Sequence, residues 1–284
     1  MAEDNFGIMN GHSVGRILKE TVRRAIVEIR GKFLTMNAEV KEDYDGNMED
    51  VFTDADTTAQ KIYLRAFREC FPGFGVIGEE GKLQIPCSIP GRNLYFTVDP
   101  LDGTKAYIRR QSHGVATMVA LVEGDKVLSA YIGDINTEEI YGYRPGSGSV
   151  HRITDLNAFE QLTYRDRGGW GKRYALLRDP AGQYSDATCE LIPRFKNYEV
   201  MGSSIGTWFA RLWKGEVAAA ILPAGKETPW DSTPVIGISK KLGYLFLRPN
   251  GEGTWTVYDP TLPTKVFDRP HDTLVLHQKE LNNL

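Results

Sequence analysis

Apolar positions in the first part of the chain follow a helical period. Val14, Ile17, Leu18, Val22, Ala25, Ile26, Ile29 and Phe33 line one face, which predicts an amphipathic helix over 14–33 with Ser13 as its N-cap. A second helix is predicted over 56–70, stopped by Phe71-Pro72-Gly73. Between them, residues 38–50 are polar and acidic around Gly46 and predict a mobile loop. The pattern then shifts to short apolar runs. Residues 74–77 and 94–98 predict strands, and 115–122, 126–132 and 139–143, the first two joined by the turn Glu123-Gly124-Asp125, predict a meander. The Gly/Ser/Pro-rich stretch 142–149 marks a boundary or a long turn. Beyond it, strands over 174–177, 198–201, 217–222 and 244–247 are interspersed with helices over 204–214 and 230–242.

Helices mixed with a meander, rather than strict βαβ alternation, predict a layered α+β fold. Residues 1–150 read as an N-terminal α+β half and 151–284 as a C-terminal α/β half, together forming one compact catalytic unit. No internal repeat or low-complexity tract interrupts this reading.

Composition narrows the partners. With 41% hydrophobic and 25% charged residues over 284 positions, the chain can bury a substantial core. Its formal net charge of −3 and the lack of a basic stripe argue against a nucleic-acid polymer as partner. Cys70, Cys87 and Cys189 are too far apart for a zinc site or a disulfide framework. The polar N-terminus and the lack of any long apolar run predict a cytoplasmic protein without a membrane span.

Three acidic clusters carry the candidate chemistry: Gly78-Glu79-Glu80-Gly81 after one predicted strand, Asp99-Pro100-Leu101-Asp102-Gly103-Thr104 after another, and Trp230-Asp231-Ser232-Thr233 opening a helix. Taken singly, Asp-Pro and Asp-Gly are ordinary turn pairs, Glu79-Glu80 a solvated pair and Asp231 an N-cap. Taken together, carboxylates at strand ends can meet at one point, where only a cation makes their company favourable. Oxygen donors without His or Cys select a hard ion such as Mg²⁺. Pro100 and Gly103 can turn both Asp99 and Asp102, with the Leu101 carbonyl, to one side, and a helix start at Gly103-Thr104 suits a phosphate oxygen. A metal beside an anion-binding helix start is the outline of a phosphate-hydrolysis site. Asp54-Ala55-Asp56-Thr57-Thr58 matches the D-x-D-x-T of haloacid-dehalogenase-type phosphatases, but the acidic lead-in Met48-Glu49-Asp50 argues against the apolar strand that motif requires.

The set Gly78-Glu79-Glu80, Asp99-Pro100-Leu101-Asp102-Gly103-Thr104 and Trp230-Asp231 resembles the inositol monophosphatase family, whose superfamily also holds 3′(2′),5′-bisphosphate nucleotidases and bacterial fructose bisphosphatases. The likeness spans nearly the whole chain, including Asp50-Val51-Phe52-Thr53-Asp54-Ala55-Asp56, where the family has D-x-V-T-x-x-D. It implies a layered αβαβα sandwich, a homodimer, and Li⁺-sensitive, Mg²⁺-dependent phosphomonoesterase activity that uses two to three ions and a metal-activated water. By that resemblance Glu79, Asp99 and the Leu101 carbonyl hold one Mg²⁺; Asp99, Asp102 and Asp231 hold a second. Asp56 with Glu79 helps position a third, Glu79 and Thr104 orient the attacking water, and 38–50 is a mobile flap. Asp102, Gly103, Thr104, Gly206, Thr207 and Asp231 would bind substrate. The implied substrate is a small soluble phosphate, inositol monophosphate or a related sugar phosphate. The alternatives are a 3′(2′),5′-bisphosphate nucleotide, suggested by Asp102-Gly103-Thr104-Lys105, and histidinol phosphate; a non-catalytic phosphate-binding regulator is the rival of another class. Ser203 stands where an arginine is common, Trp208 replaces a small residue, and only Lys226 or Glu227 could substitute for the glutamate that contacts inositol hydroxyls.

Overall fold

The computed structural model describes residues 6, 7, 9–41, 50–251 and 253–284. The first apolar stripe forms α1 (Gly11–Lys32), which buries Val14, Leu18, Val22, Ala25, Ile26 and Ile29. Its N-cap is Asn10 rather than Ser13, because the Asn10 carboxamide accepts the Ser13 N–H at 3.0 Å. The ends of the predicted loop instead pair as an antiparallel ribbon, β1 (Ala38–Lys41) with β2 (Asp50–Thr53), in which Val40 lies opposite Val51. The middle of that predicted flap, 42–49, lies outside the described residues. Next, α2 (Asp54–Cys70) opens on a capping box in which Thr53 and Asp56 satisfy each other's backbone.

The following strands are β3 (Gly75–Gly78), β4 (Gln84–Ile85), β5 (Leu94–Asp102), then helix α3 (Thr104–Ile108), β6 (Ala116–Glu123), β7 (Lys126–Asp134), β8 (Ile140–Tyr143), β9 (His151–Ile153) and β10 (Phe159–Gln161). They form one sheet in the order β10-β9-β8-β7-β6-β5-β3-β4, parallel only between β3 and β5. The predicted meander is thus present and runs two strands further, through the stretch expected to be a boundary or a long turn.

The remaining elements are β11 (Tyr174–Leu177), α4 (Asp186–Leu191), β12 (Asn197–Val200), α5 (Ile205–Trp213), β13 (Ala219–Leu222), β14 (Gly225–Glu227), α6 (Pro229–Lys241), β15 (Tyr244–Pro249), β16 (Trp255–Tyr258), β17 (Phe267–Arg269) and β18 (Thr273–His277). A second sheet runs β12-β11-β13-β18-β15-β16, with β12, β11 and β13 mutually parallel, and β14 pairs β17 in a small ribbon.

Strand alternation sorts the side chains into layers. On β6, Val119 and Leu121 pack with α1 and α2, while Met118 and Ala120 turn toward α5 and α6. On the second sheet, Ala220 and Val275 share that middle layer, and Ala219, Ile221, Leu274 and Leu276 face Trp170, Leu191 and Phe195 on the far side. The order is therefore α1/α2, first sheet, α5/α6, second sheet, α4, which is the αβαβα sandwich expected. Helix α6 is packed against β5, β6 and β7 on one side and β15 on the other. Its first turn consequently opens where the two sheets meet. No described helix is long and apolar enough to cross a membrane.

Candidate active site

Strand β5 does not stop at Val98; it continues through Asp102 and carries the acidic segment into the sheet. In a regular strand, residues three apart point to opposite faces. Here Asp99 lies opposite Met118 but Asp102 opposite Ala116, so β5 spends one residue more than β6 over the same interval. That bulge resets the alternation and brings both carboxylates to one side. Gly103 follows at φ +90°, where a Cβ would lie 2.3 Å from the Gly114 carbonyl oxygen, so no other residue fits without moving the backbone. Its turn launches α3 at Thr104, and the first N–H groups of that helix have no acceptor within it.

Asp231 enters from the first turn of α6. Asp99, Asp102 and Asp231 each offer an oxygen within 4.8 Å of the others. Asp102 is held by the Ser204 hydroxyl at 2.6 Å and the Gly206 N–H at 2.8 Å, both from the start of α5. The Thr228 hydroxyl donates to one Asp231 oxygen at 2.6 Å, while the other is buried with no hydrogen-bond partner. Glu79, just after β3, donates its N–H to the Val98 carbonyl and so sits beside the end of β5. Its carboxylate lies 3.1 Å from the Lys41 ammonium, which also reaches Glu80 at 2.7 Å. Asp56 is fully buried; one of its oxygens accepts both the N–H and the hydroxyl of Thr53, and the other lies 3.3 Å from the Thr104 hydroxyl. That hydroxyl is also 3.0 Å from the Leu101 carbonyl, and its single proton serves one of the two acceptors at a time.

Burial and like charge shape the electrostatics. Loss of solvent, opposed by Lys41 and reinforced by Glu80, Asp231 and Asp56, pushes Glu79 up to about 8. Burial together with Glu79, Asp231 and Asp102 raises Asp99 well above the carboxylate range. Burial and Asp231 lift Asp102 to about 7 against the hydrogen bonds from Gly206 and Ser204, and burial lifts Asp56 to about 6. Carboxylates crowded this way are unfavourable when ionised unless a cation joins them. The buried, unpartnered Asp231 oxygen and the all-oxygen donor set fit a hard divalent ion.

A cavity of about 240 Å³ opens beside Asp231, bounded by the ends of β11 and β13, by α5 and α6, and by the β14–β17 ribbon. The residues proposed from sequence for the substrate side are placed as follows. Gly206 lies against the first sheet, where a Cβ would meet Ile132 at 2.7 Å and Met118 at 2.8 Å, and its N–H serves Asp102. The Thr207 N–H and hydroxyl both bond Ser204, within the cap of α5. Trp208 is fully buried and packed edge-on to Phe209, a core residue rather than a stacking platform. Glu227 lines the cavity but is tied to Arg269 in a buried ion pair and accepts from Ser232. Asp54 of the D-x-D-x-T match faces Lys32 at 2.7 Å and the Asn37 N–H, away from the acidic trio.

Two participants escaped the sequence reading. Ser204 holds Asp102, and Arg178 lines the cavity directly after β11. The signal for Arg178 was present: a lone arginine ending an apolar run, at the kind of strand end where the acidic clusters were found.

Comparison with known proteins finds relatives in sequence and in fold. The Nus factor SuhB of Xylella fastidiosa (strain Temecula1) is 33% identical over 101 residues, covering 36% of this chain and 34% of that protein. The inositol-1-monophosphatase of Bacillus subtilis (strain 168) is 26% identical over 157 residues, covering 55% of this chain and 57% of that protein. The chain thus spans between about a third and just over half the length of these curated relatives. Among solved structures, an IMPase/NADP phosphatase complexed with Mg²⁺ and phosphate shares the fold with a TM-score of 0.70 at 16% identity, over 96% of this chain and 93% of that one. The model of the inositol monophosphatase family matches residues 12–279, and the chain belongs to that family.

Proposed function

We propose that this chain is a Mg²⁺-dependent phosphomonoesterase acting on a small soluble phosphate of the inositol monophosphate or sugar phosphate class. The observation that carries the reading is the convergence of Asp99, Asp102 and Asp231, one of their buried oxygens unpartnered, beside the start of α3. Asp99, Asp102 and Asp231, with Glu79 and the Leu101 carbonyl, would hold the ions, and Asp56 would assist through Thr104. Bound there, Mg²⁺ supplies charge for the phosphate oxygens and acidity for an attacking water. The N–H groups at Gly103-Thr104 receive a phosphate oxygen, and the bulge of β5 holds two donors at fixed spacing before substrate arrives. Glu79 and Thr104 orient the water toward phosphorus, in line with the leaving oxygen, which faces the cavity beside Asp231. No side chain needs to become phosphorylated.

The N-terminal half brings Glu79 and β5 and the C-terminal half brings Asp231, which supports reading them as one catalytic unit. The homodimer, the lithium sensitivity and a cytoplasmic setting rest on the family likeness and on composition. Against a non-catalytic phosphate binder stands the complete set of carboxylates. Hydrolysis of p-nitrophenyl phosphate, measured with Mg²⁺ and after EDTA, tests the reading. Turnover that appears with Mg²⁺ and disappears on chelation is expected; intact phosphate binding with no metal-dependent turnover would sink it.

A further inference from the structure

The second sheet ends its three parallel strands on the side of the cavity. Leu177 of β11 lies opposite Val200 of β12 and Ile221 of β13, so the residues just beyond all three strands emerge together. In sheets of this kind the crevice past the C-terminal strand ends is where ligands are received. Arg178 is the residue that leaves β11 there, its N–H bonded to the Ile221 carbonyl at 3.1 Å and its position steadied by the Tyr184 hydroxyl at 2.9 Å. Its guanidinium donates to the Ser203 carbonyl, one residue before the serine that holds Asp102. The guanidinium is half-buried.

Among the described residues Arg178 has no ion-pair partner, although Asp179 is its neighbour in the chain. The contrast with Arg269 is direct: that guanidinium, on the same cavity, is matched by Glu227. Lys226 adds a third cation to the wall, 3.5 Å from Asp268. A guanidinium keeps several N–H donors in a fixed fork, and one bond to a carbonyl leaves the rest for an oxyanion. On the phosphomonoesterase reading the ester phosphate would be met by the divalent ions and the start of α3, so the charge of Arg178 exceeds what that group would require.

We propose that Arg178 is a specificity-determining residue that receives a second anionic group, a carboxylate or a phosphate, on the alcohol side of the substrate. The inference rests on the phosphomonoesterase reading and narrows its substrate class to the sugar phosphates: the preferred ester carries two anionic groups, unlike inositol monophosphate.

Two size-matched pairs test it, 3-phosphoglycerate against glycerol 3-phosphate and fructose 1,6-bisphosphate against fructose 1-phosphate. Steady-state kinetics with Mg²⁺ is measured on the wild type, Arg178→Gln and Arg178→Lys. The wild type should favour the doubly anionic member of at least one pair by about 10-fold in kcat/KM, and which pair shows it tells carboxylate from phosphate. In Arg178→Gln that preference should collapse by roughly 10–100-fold, mostly through KM, the size expected for a charge-assisted contact. The esters with a single anionic group should stay within about threefold, and Arg178→Lys should recover part of the preference. Equal losses on both members of a pair, or no loss on either, would overturn the proposal. A calorimetric titration of the same esters in Ca²⁺ runs alongside as a binding readout. Wild-type protein that discriminates by binding and loses this in Arg178→Gln, yet hydrolyses nothing, would retain the subsite and overturn only the phosphatase reading. Wild-type protein that hydrolyses both members of each pair equally well would do the reverse.

Discussion

Two buried charged regions of this molecule obey opposite rules. At the end of the second sheet, Arg173 and Glu280 form an ion pair with almost no solvent exposure, so opposite charges face each other although the Arg173 Nε makes no hydrogen bond. Glu280 also accepts from Tyr164 at 2.8 Å, the Trp170 indole at 3.1 Å and Asn283 at 2.7 Å, while Arg173 reaches the Val217 carbonyl at 2.9 Å. At the junction of the sheets, Asp99, Asp102 and Asp231 crowd together as like charges, with one Asp231 oxygen unpartnered and the Asp99 and Asp102 carboxyls shifted upward by burial. The first arrangement ties elements together. The second costs the metal-free fold stability and makes sense only when a cation completes it. Matched buried charge marks architecture here, and unmatched buried charge marks chemistry.

Breaking each region should separate these roles. The largest effect is expected for Asp99→Asn, which keeps the shape but weakens both proposed ion positions: kcat/KM for a phosphate ester should fall on the order of 10³-fold. Thermal melting of the metal-free variant should be no lower than wild type, because a repulsion has been removed. Near-normal turnover in that variant would refute the shared role of Asp99. Glu280→Ala should show the mirror image. Leaving Arg173 buried and alone costs roughly 3–5 kcal/mol of stability in urea unfolding, with kcat for the surviving folded protein unchanged. A loss below about 1 kcal/mol would mean that the pair is less important to the fold than its burial implies.

The smallest effect sharpens the comparison through pH. With Glu79 near 8, Asp102 near 7 and Asp56 near 6, the folded metal-free protein keeps protons that the unfolded chain has already released above about pH 4. Between about pH 4 and 8 the unfolded state therefore binds fewer protons, and stability falls as pH rises through that window. Mg²⁺ relieves the repulsion, so its stabilising increment should be larger at pH 8 than at pH 5.5, by roughly 5 °C in Tm. An increment that is flat or shrinks with pH contradicts this picture of the acidic centre.

Much of this was legible in the chain. Helical spacing marked α1 and α2, alternation and the turn at Gly124 marked β6 and β7, and the acidic clusters stood out because two closed apolar runs and the third opened a helix. The misses share a cause. Residues 255–258 and 273–277 make β16 and β18, yet they depend on neighbours across the second sheet rather than on a strong local pattern. Trp208, favoured from sequence as a core aromatic over a base-stacking one, is core because α5 is wedged between two sheets.

By itself, then, the sequence determined the layered fold class and the acidic residues proposed as ligands near α3, because apolar periodicity and residue chemistry are local properties. Tertiary structure alone decided which carboxylates converge: the bulge that turns Asp99 and Asp102 to one side is a mismatch between β5 and β6, and no single strand contains it. It alone also set the Arg178 guanidinium against the Ser203 carbonyl at the start of α5, since residues 178 and 203 meet only when β11 and α5 pack beside one cavity.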